Sequence, residues 1–391
     1  MRLKKDYWIA VLCKIFVILT ELLITVLLNR GLGIESKGEY AYIIKVVEVL
    51  YVFFSFGIGQ VYATFKRKDN EEIRNIFVAL GLIHSFLIVL IGSVISLFWR
   101  SEYIMPIIML TAIAVVKFIV SMIAVIDKSI VRNILQVFVN VLYLIVLICV
   151  CFFNKANLNT VLWCYGIIDI LRIVLLIHIY KLKPKIKGIT LETIKSVYRA
   201  GFVTMIVMLL INLNYSVDTI MLKLISSDYH VGIYSVSVSL ANMFLLIPDA
   251  FKEVLFGDSA RKNFSKKTAL SAIKVSLLIS FFIFVGFAVF GKWFIKFLYG
   301  IEYSSSYSVT IILFFGCFFL IIFKILQPIY IAYGKQNKAV IYLSISATIN
   351  ILANLLIIPI YNEIGAAYAS VLSYTVCGLL FFIGYLRNDL K

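Results

Sequence analysis

The feature that most constrains this chain is a succession of long apolar runs that fills nearly its whole length. A membrane-spanning helix needs about 20 mostly apolar residues, whereas a strand of a membrane barrel needs about half as many. Helices and closed barrels are the structures that satisfy every backbone hydrogen bond in lipid. Because these runs are long and continuously apolar, the sequence predicts an all-α polytopic membrane protein.

We predict twelve transmembrane helices. The composition agrees with this class of protein, since 62% of the residues are hydrophobic and 15% are charged, whereas soluble domains carry about 25% charged residues. The predicted spans are residues 7–28, 40–63, 76–98, 103–126, 134–153, 158–180, 200–222, 231–255, 269–291, 307–332, 338–358 and 363–385.

The distribution of basic residues predicts the orientation. When the N-terminus is placed in the cytoplasm, roughly three times as many Lys and Arg residues fall in inner loops as in outer loops. This bias predicts that both termini are cytoplasmic. The formal net charge of +17 is then explained by topology and by contact with anionic membrane lipids, so we expect no nucleic acid partner.

The longest inner loop, residues 181–199, divides the chain into two parts with the same layout. After span 1 the sequence reads SKGEYAYI and after span 7 it reads HVGIYSVS, and both carry Gly-x-Tyr at the start of the next span. We predict an N-terminal lobe (1–190) and a C-terminal lobe (191–391) of six helices each, related by pseudo-symmetry. Such parallel repeats are typical of transporters with a central substrate cavity and alternating access.

Many charged residues interrupt the predicted spans, although a charge at the bilayer centre costs about 2.5–3.5 kcal/mol on insertion scales. Asp169 and Arg172 are three positions apart and can pair on one helix face, as a structural pair or within a cavity. Lys45 can also be explained by snorkelling to the outer surface. The charges within spans are Lys14, Glu21, Lys45, Glu48, Lys117, Asp169, Arg172, Asp218, Asp249, Lys252, Glu253, Lys274 and Lys324.

The spacing of these charges predicts polar faces on several spans. Lys45 and Glu48 lie on one face of span 2, within about a 100° arc at 3.6 residues per turn. Lys117 and Lys324 occupy corresponding spans of the two halves. We therefore expect these faces to line a cavity rather than to meet lipid.

The sequence shows no pattern of a catalytic or metal site. The six cysteines lie within apolar runs without metal-ligand spacing, and the three histidines are scattered. The predicted outer loops are short, and they contain neither a nucleophile triad nor an acidic metal-binding motif. We expect a protein that is not an enzyme and that needs neither a metal nor another cofactor.

The stretch INILANLLIIPIYNEIGAAYASVLSY (349–374) resembles a pattern near the C-terminus of bacterial polysaccharide flippases. These are the Wzx-type O-antigen and capsule transporters of the MOP superfamily, which also contains the MATE exporters and the lipid II flippases. GLGIESKGEYA resembles their turn after the first span, and Asp218 stands at the acidic position of their seventh span. The resemblance covers essentially the whole chain and implies a MATE-like fold in the bacterial cytoplasmic (inner) membrane. The residues that carry it in 349–374 are Asn350, Asn354, Pro359, Gly365, Ala366 and Ala367.

What the resemblance implies is the flipping of undecaprenyl-pyrophosphate-linked oligosaccharide units for surface polysaccharide biosynthesis, with membrane lipids and other polysaccharide-assembly proteins as further partners. Each sugar hydroxyl costs about 4–8 kcal/mol in hydrocarbon, so the substrate needs a wet cavity with cations for its phosphates. The expected substrate-binding residues are Lys45, Lys117, Arg172 and Lys324. The expected residues for coupling to H⁺ or Na⁺ are Glu21, Glu48, Asp169 and Asp218.

Two other functions stay open. A MATE-like drug or cation exporter has the same fold and would favour an acidic cavity, but basic and acidic residues within the spans are nearly equal in number. A membrane polysaccharide polymerase or lipid-linked glycosyltransferase is expected to carry a large outer loop or a carboxylate-bearing cytoplasmic domain. The sequence shows neither feature.

Overall fold

The computed structural model describes residues 5–66, 72–98, 101–153, 156–185, 190–246, 248–249, 266–333 and 335–387. Every regular element in these residues is a helix, so the predicted all-α fold is confirmed. In chain order the elements are α1 (Lys5–Phe54), α2 (Ile58–Lys66), α3 (Glu72–Phe98), α4 (Ile104–Phe152), α5 (Leu158–Ile179), α6 (Leu191–Ile225), α7 (Asp228–Phe244), α8 (Lys266–Leu298), a 3-10 helix (Ile301–Tyr303), α9 (Ser306–Ala332) and α10 (Gln336–Leu386).

Three of the helices change direction at a single residue. The breaks lie at Gly33 in α1 (φ 73°), at Lys128 in α4 (φ −152°) and at Asn362 in α10 (φ 48°). The sequence predicted a turn between two spans at each of these places, whereas the structure continues the helix on both sides of one non-helical residue. A single residue outside the α region is enough to redirect a helix axis, and Gly and Asn tolerate a positive φ best.

Nine segments of the described residues are long and apolar enough to cross a membrane. Two of them, Leu12–Phe54 and Gln336–Leu386, contain 43 and 51 residues, and each is long enough for two crossings. They include most of predicted spans 1 and 2 and of predicted spans 11 and 12. The end of predicted span 8 lies outside the described residues. The chain is therefore a multi-pass membrane protein, and the count of twelve stays a prediction.

Predicted span 2 is interrupted between α1 and α2. Phe56 and Gly57 both have a positive φ, of 51° and 66°, and this pair of residues separates the two helices. The break packs against the first part of α6. A Cβ atom on Gly57 would lie under 3.0 Å from the carbonyl oxygen of Gly201, and one on Gly201 would lie equally close to that of Phe56. The two backbones therefore touch directly, which requires glycine.

The chain forms two compact units. The first comprises Met1–Gly33 and Ile43–Leu209, and the second comprises Ile34–Tyr42 and Leu210–Lys391. Helix α6 begins at Leu191 and contributes to both units, with its first part in the first unit. The assignment of six crossings to each half stays a prediction.

The segment Ile34–Tyr42 packs against the start of α7 within the second unit. A Cβ atom on Gly38 would lie under 3.0 Å from the carbonyl oxygen of Asp228, and one on Gly232 would lie under 3.0 Å from that of Ile34. These are the two glycines of the repeated Gly-x-Tyr pattern. Gly38 lies against the carbonyl group of Asp228, four residues before Gly232, and Gly232 lies against that of Ile34, four residues before Gly38. The contact is therefore reciprocal, as expected of duplicated sequences.

Alanine at Gly38 or Gly232 should destabilise the protein, because the added methyl group would overlap a backbone carbonyl. Overpacking of this kind typically costs about 1–3 kcal/mol. We expect each variant to lower the midpoint of thermal unfolding of the purified protein in detergent. The matched control is Gly286→Ala, since a Cβ atom there meets nothing within 4 Å. Equal midpoints for all three variants would contradict the reciprocal contact.

Candidate functional site

Two cations of the first unit converge on Asp169, a buried residue in α5. Lys117, from the first part of α4, donates to Oδ2 of Asp169 at 2.6 Å. Nη1 of Arg172 lies 3.5 Å from Oδ1 of the same carboxylate. The pairing of Asp169 with Arg172 that the sequence allowed is therefore observed, and Lys117 adds a second cation from another helix.

Asn140 and Glu21 extend this cluster. Nη2 of Arg172 donates to Oδ1 of Asn140 at 3.0 Å. Asn140 also forms a side-chain hydrogen bond with the carboxylate of Glu21, which is attracted by the charge of Arg172. Sequence analysis missed Asn140. The available signal was its position as an amide within an apolar span, which it shares with Gln136.

Lys45 and Glu48 form a second ion pair in the first unit. Nζ of Lys45 lies 2.7 Å from Oε2 of Glu48, so Lys45 pairs with its helix neighbour. Tyr165 connects this pair with the first cluster. Lys117 donates to the Tyr165 hydroxyl at 3.4 Å, and the phenol lies within electrostatic reach of both Glu48 and Asp169. Sequence analysis missed Tyr165 as well.

Six of the eight predicted site residues thus belong to one group, which we call the charged network. Its three cations and three carboxylates have balanced formal charges. Each cation is bonded to a carboxylate that the sequence had placed among the coupling candidates. Any phosphate that binds here must therefore compete with a carboxylate for its cation. The network contains Glu21, Lys45, Glu48, Lys117, Asp169 and Arg172.

The two predicted site residues of the second unit, Asp218 and Lys324, have different partners. Asp218 lies in α6 and is 1% exposed. Ser370 donates to its Oδ2 at 2.6 Å, Tyr234 donates to the same atom at 3.3 Å, and Asn354 donates to Oδ1 at 2.7 Å. The hydrogen-bond partners of Asp218 among the described residues are uncharged. These donors stabilise the buried carboxylate by hydrogen bonds and bring no opposite charge to it.

A chain of buried amides and hydroxyls continues from this carboxylate. Ser346 and Ser373 each donate to Oδ1 of Asn214 at 2.9 Å, and Nδ2 of Asn350 lies 3.5 Å from the backbone oxygen of Asn214. Oδ1 of Asn354 is buried and has no hydrogen-bond donor among the described residues. This oxygen is an acceptor left open beside Asp218.

Lys324 repeats the surroundings of Lys117 in the second unit. Nζ of Lys324 lies 2.7 Å from Oδ2 of Asp249 and 5.9 Å from the centre of the Tyr215 ring. Nζ of Lys117 similarly lies 5.4 Å from the centre of the Tyr165 ring. Each of these lysines, from corresponding predicted spans, therefore meets one carboxylate and one aromatic face.

Within the described ranges, no three His, Cys, Asp or Glu side chains come together in a way that could hold a metal ion. The cysteines are free thiols. The polar groups are ion pairs and hydrogen bonds inside membrane-crossing helices. Ionisable groups in such positions typically mark the path of an ion or a substrate.

The fold is that of a known class of membrane transporters. A solved structure of the lipid II flippase MurJ, in an inward closed conformation, covers 96% of this chain and 87% of its own, with a TM-score of 0.78 and 16% identity. An outward-facing multidrug resistance MATE family transporter of the MOP superfamily covers 98% and 96%, with a TM-score of 0.68 and 14% identity. A MOP superfamily transporter from Pyrococcus furiosus covers 98% and 93%, with a TM-score of 0.59 and 13% identity. At these identities the likeness establishes the fold, and the MATE-like fold is confirmed.

The sequence also identifies the family. The family described as "Polysaccharide biosynthesis protein" matches residues 3–256, and the chain belongs to it. No curated protein matches the sequence significantly. The resemblance is therefore confirmed as membership of this polysaccharide biosynthesis family and as a MATE-like fold.

Replacing Asp218 with Asn should destabilise the protein. The new amide would direct N–H groups at Ser370, Tyr234 or Asn354, and an unsatisfied buried polar group costs about 1–3 kcal/mol. We expect a lower midpoint of thermal unfolding. Glu302→Gln is the control, because Glu302 is an exposed carboxylate in the 3-10 helix. An Asp218→Asn protein as stable as the unmodified protein would contradict the account of an acceptor held by donors.

Proposed function

We propose that this protein moves undecaprenyl-pyrophosphate-linked oligosaccharide units from the inner to the outer leaflet of the cytoplasmic membrane, for surface polysaccharide biosynthesis. The observation that carries the proposal is the charged network, in which Lys45, Lys117 and Arg172 lie inside membrane-crossing helices with carboxylate partners. Membership of a polysaccharide biosynthesis family and a transporter fold support transport rather than catalysis.

The chemistry of such a substrate matches the groups of the network. A bare anion is far more costly to bury in hydrocarbon than a sugar hydroxyl, which itself costs about 4–8 kcal/mol. Lysine and arginine bind phosphate oxygens by charge-assisted hydrogen bonds, and the planar guanidinium can bind two oxygens at once. Lys117 and Arg172 both contact Asp169, so they are close enough to hold one pyrophosphate together.

Exchange of partners is the proposed binding step. In the empty protein, Asp169 and Glu48 neutralise their cations, and the network carries no net charge. When pyrophosphate arrives, Lys117, Arg172 and Lys45 turn from carboxylate to phosphate. Glu48, Asp169 and Glu21 can then take up H⁺ or Na⁺ in place of the lost cations. Lys324, which is paired with Asp249, is the proposed phosphate ligand of the second unit.

Asp218 is the proposed site of the coupling ion in the second unit. It has no charged partner among its described hydrogen bonds, and the open oxygen of Asn354 lies in the same network. Carboxylate and amide oxygens are the ligands of hard cations. An anionic substrate moving outward and a cation returning inward both move down an inside-negative potential, which supplies about 2.3 kcal/mol per charge per 100 mV.

Neutralising both corresponding lysines, in a Lys117→Gln and Lys324→Gln double variant, should abolish export of the polymer while the protein stays in the membrane. The reason is that each unit loses the lysine that we propose as its phosphate ligand. The measurement is surface polymer in cells whose own flippase has been deleted, together with the amount of protein in membranes. Lys274→Gln is the control, because Lys274 is an exposed lysine in α8. Full export by the double variant would refute the proposal.

Replacing Asp169 with Asn should instead tighten the binding of inorganic pyrophosphate to the purified protein. The substitution removes the group that competes for Lys117 and Arg172, and we expect at least about a tenfold gain in affinity, or about 1.4 kcal/mol. Lys117→Gln should weaken the same binding, and Glu302→Gln should leave it unchanged. Titration calorimetry measures all three. Weaker binding by Asp169→Asn would show that the carboxylate positions the cations rather than competing for them.

A further inference from the structure

Three exposed lysines lie at one end of the first unit, and we call them the lysine surface. Lys128 stands at the break in α4, and Lys181 and Lys183 belong to the segment that follows α5. Three segments that are apolar enough to cross a membrane begin or end beside them: Ile73–Phe98, Ile104–Lys128 and Leu158–Ile179. The lysine surface therefore lies where the chain passes from hydrocarbon to the level of the lipid headgroups.

Backbone contacts hold these lysines beside one another. The hydroxyl of Tyr180 donates to the carbonyl oxygen of Lys128 at 2.6 Å, and Tyr180 directly precedes Lys181. The backbone N–H of Lys183 donates to Oδ1 of Asn75, near the start of α3, at 2.9 Å. These hydrogen bonds fix the positions of the lysines and leave their ammonium groups unused.

The carboxylate beside the lysine surface is already engaged. Asp127 directly precedes Lys128, and its Oδ1 pairs with Nζ of Lys66 and accepts from the Tyr62 hydroxyl at 3.1 Å. Nη1 of Arg74 lies 3.9 Å from its Oδ2. Among the residues that the structure describes, no carboxylate forms an ion pair with a lysine of the lysine surface. Its charge is therefore available to an anion from outside the chain.

Lys181 occupies a backbone position that favours glycine. Its φ is 51°, and it follows α5 in a Schellman ending, in which the N–H of Leu182 donates to the carbonyl oxygen of Ile177 at 2.9 Å. Glycine is usual at this position because a Cβ atom adds strain in the left-handed region. Strained residues cluster at functional sites. A lysine kept here at a cost in stability indicates that its side chain has a use.

Apolar side chains are exposed next to the lysine surface. Val125 precedes Lys128 by three residues in α4 and is 38% exposed, and Ile179 precedes Lys181 by two residues and is 43% exposed. Both belong to segments that are apolar enough to cross a membrane. Ammonium groups beside exposed apolar side chains match an anionic phospholipid, which carries a phosphate and acyl chains together. A free phosphate ion would use the charges alone.

We propose that the lysine surface binds the headgroup of an anionic phospholipid, whose acyl chains lie against Val125 and Ile179. This site goes beyond the proposed function, because its ligand is a lipid of the surrounding bilayer and not a transported substrate. The bound headgroup joins the break in α4 to the end of α5. The stability of the first unit therefore depends on the anionic lipid content of the membrane.

The experiment uses the full-length protein in phosphatidylcholine nanodiscs that contain increasing fractions of phosphatidylglycerol. At physiological ionic strength the Debye length is about 8 Å, so attraction between distant charges is screened. A ligand that binds the folded state raises the midpoint of thermal unfolding, which tryptophan fluorescence measures. We expect a saturable rise, and the fraction of phosphatidylglycerol at half of the rise reports the affinity.

Removing the charge of the lysine surface should abolish this rise. A basic residue near the membrane surface contributes about fivefold in affinity for anionic lipid, so the triple variant Lys128→Gln, Lys181→Gln and Lys183→Gln should bind about a hundredfold more weakly. The matched control removes the same charge from three exposed lysines elsewhere in the chain: Lys195→Gln, Lys267→Gln and Lys274→Gln. The control should keep the rise of the unmodified protein.

Lys181→Gly separates binding of the lipid from stability of the fold. In pure phosphatidylcholine, glycine should raise the unfolding midpoint because it relieves the left-handed strain. With phosphatidylglycerol, the further rise should be smaller than in the unmodified protein, because one ammonium group is lost. A lower midpoint in pure phosphatidylcholine would show that the lysine stabilises the fold itself, and it would overturn the proposal.

The other outcomes also decide the proposal. A full rise in the triple variant would reject the lysine surface as the site, and an equal loss in the control variant would reduce the effect to general attraction by basic residues. Glycerol phosphate in solution carries the headgroup without acyl chains, and it should give no rise. A rise as large as that with phosphatidylglycerol would assign the site to a soluble phosphate. The proposed function is tested separately by polymer export and stands or falls without this site.

Discussion

An ion pair inside a membrane is the interaction on which the rest of this structure depends. Asp169 lies in a helix that crosses the membrane, and a lone charge in hydrocarbon is costly. Lys117 and Arg172 offset that cost from α4 and from α5 itself. Breaking such a pair by removing one partner typically costs 3–5 kcal/mol. The Lys117–Asp169 pair, which joins α4 to α5, is therefore also a contact that a charged substrate would have to rearrange.

This double role joins the site to the proposed transport. Because the charges of the network balance, the first unit can hold these six groups in lipid without bound ions. An arriving pyrophosphate finds cations that are held by carboxylates, so its binding disturbs contacts among three helices. The second unit supplies a different element in Asp218, a carboxylate held by neutral donors.

The sequence predicted the structural features that depend on a local pattern of residues. Apolar runs of about 20 residues locate most helices, and the three-residue spacing of Asp169 and Arg172 gave a pair that the structure contains. Pattern alone could not select partners on different helices. Whether Lys117 pairs with Asp169, and Asp218 with Ser370, depends on how helices distant in sequence pack together. Asn140 could be noticed as a polar residue in a span, but nothing local assigned it to Glu21.

Turns between spans were the least predictable feature. Each was expected to take several residues, whereas the helix resumes after a single non-helical residue at Gly33, Lys128 and Asn362. The break at Phe56 and Gly57 within predicted span 2 was not expected. An apolar run gives no signal of a change in backbone direction. Hydropathy describes how a side chain partitions between water and lipid, and it does not depend on the backbone angle φ. The Gly-x-Tyr repeat was visible, but the reciprocal contact of Gly38 and Gly232 needed the fold.

The central claim is that the cations of the charged network pass from carboxylate to phosphate. The most direct measurement is an experimental structure of the protein in nanodiscs with a pyrophosphate-linked polyprenyl lipid bound. The account predicts that Nζ of Lys117 leaves Asp169, from which it is now 2.6 Å away, and lies within hydrogen-bond distance of a phosphate oxygen, about 3 Å. Pyrophosphate bound elsewhere, with the contact between Lys117 and Asp169 intact, would contradict it.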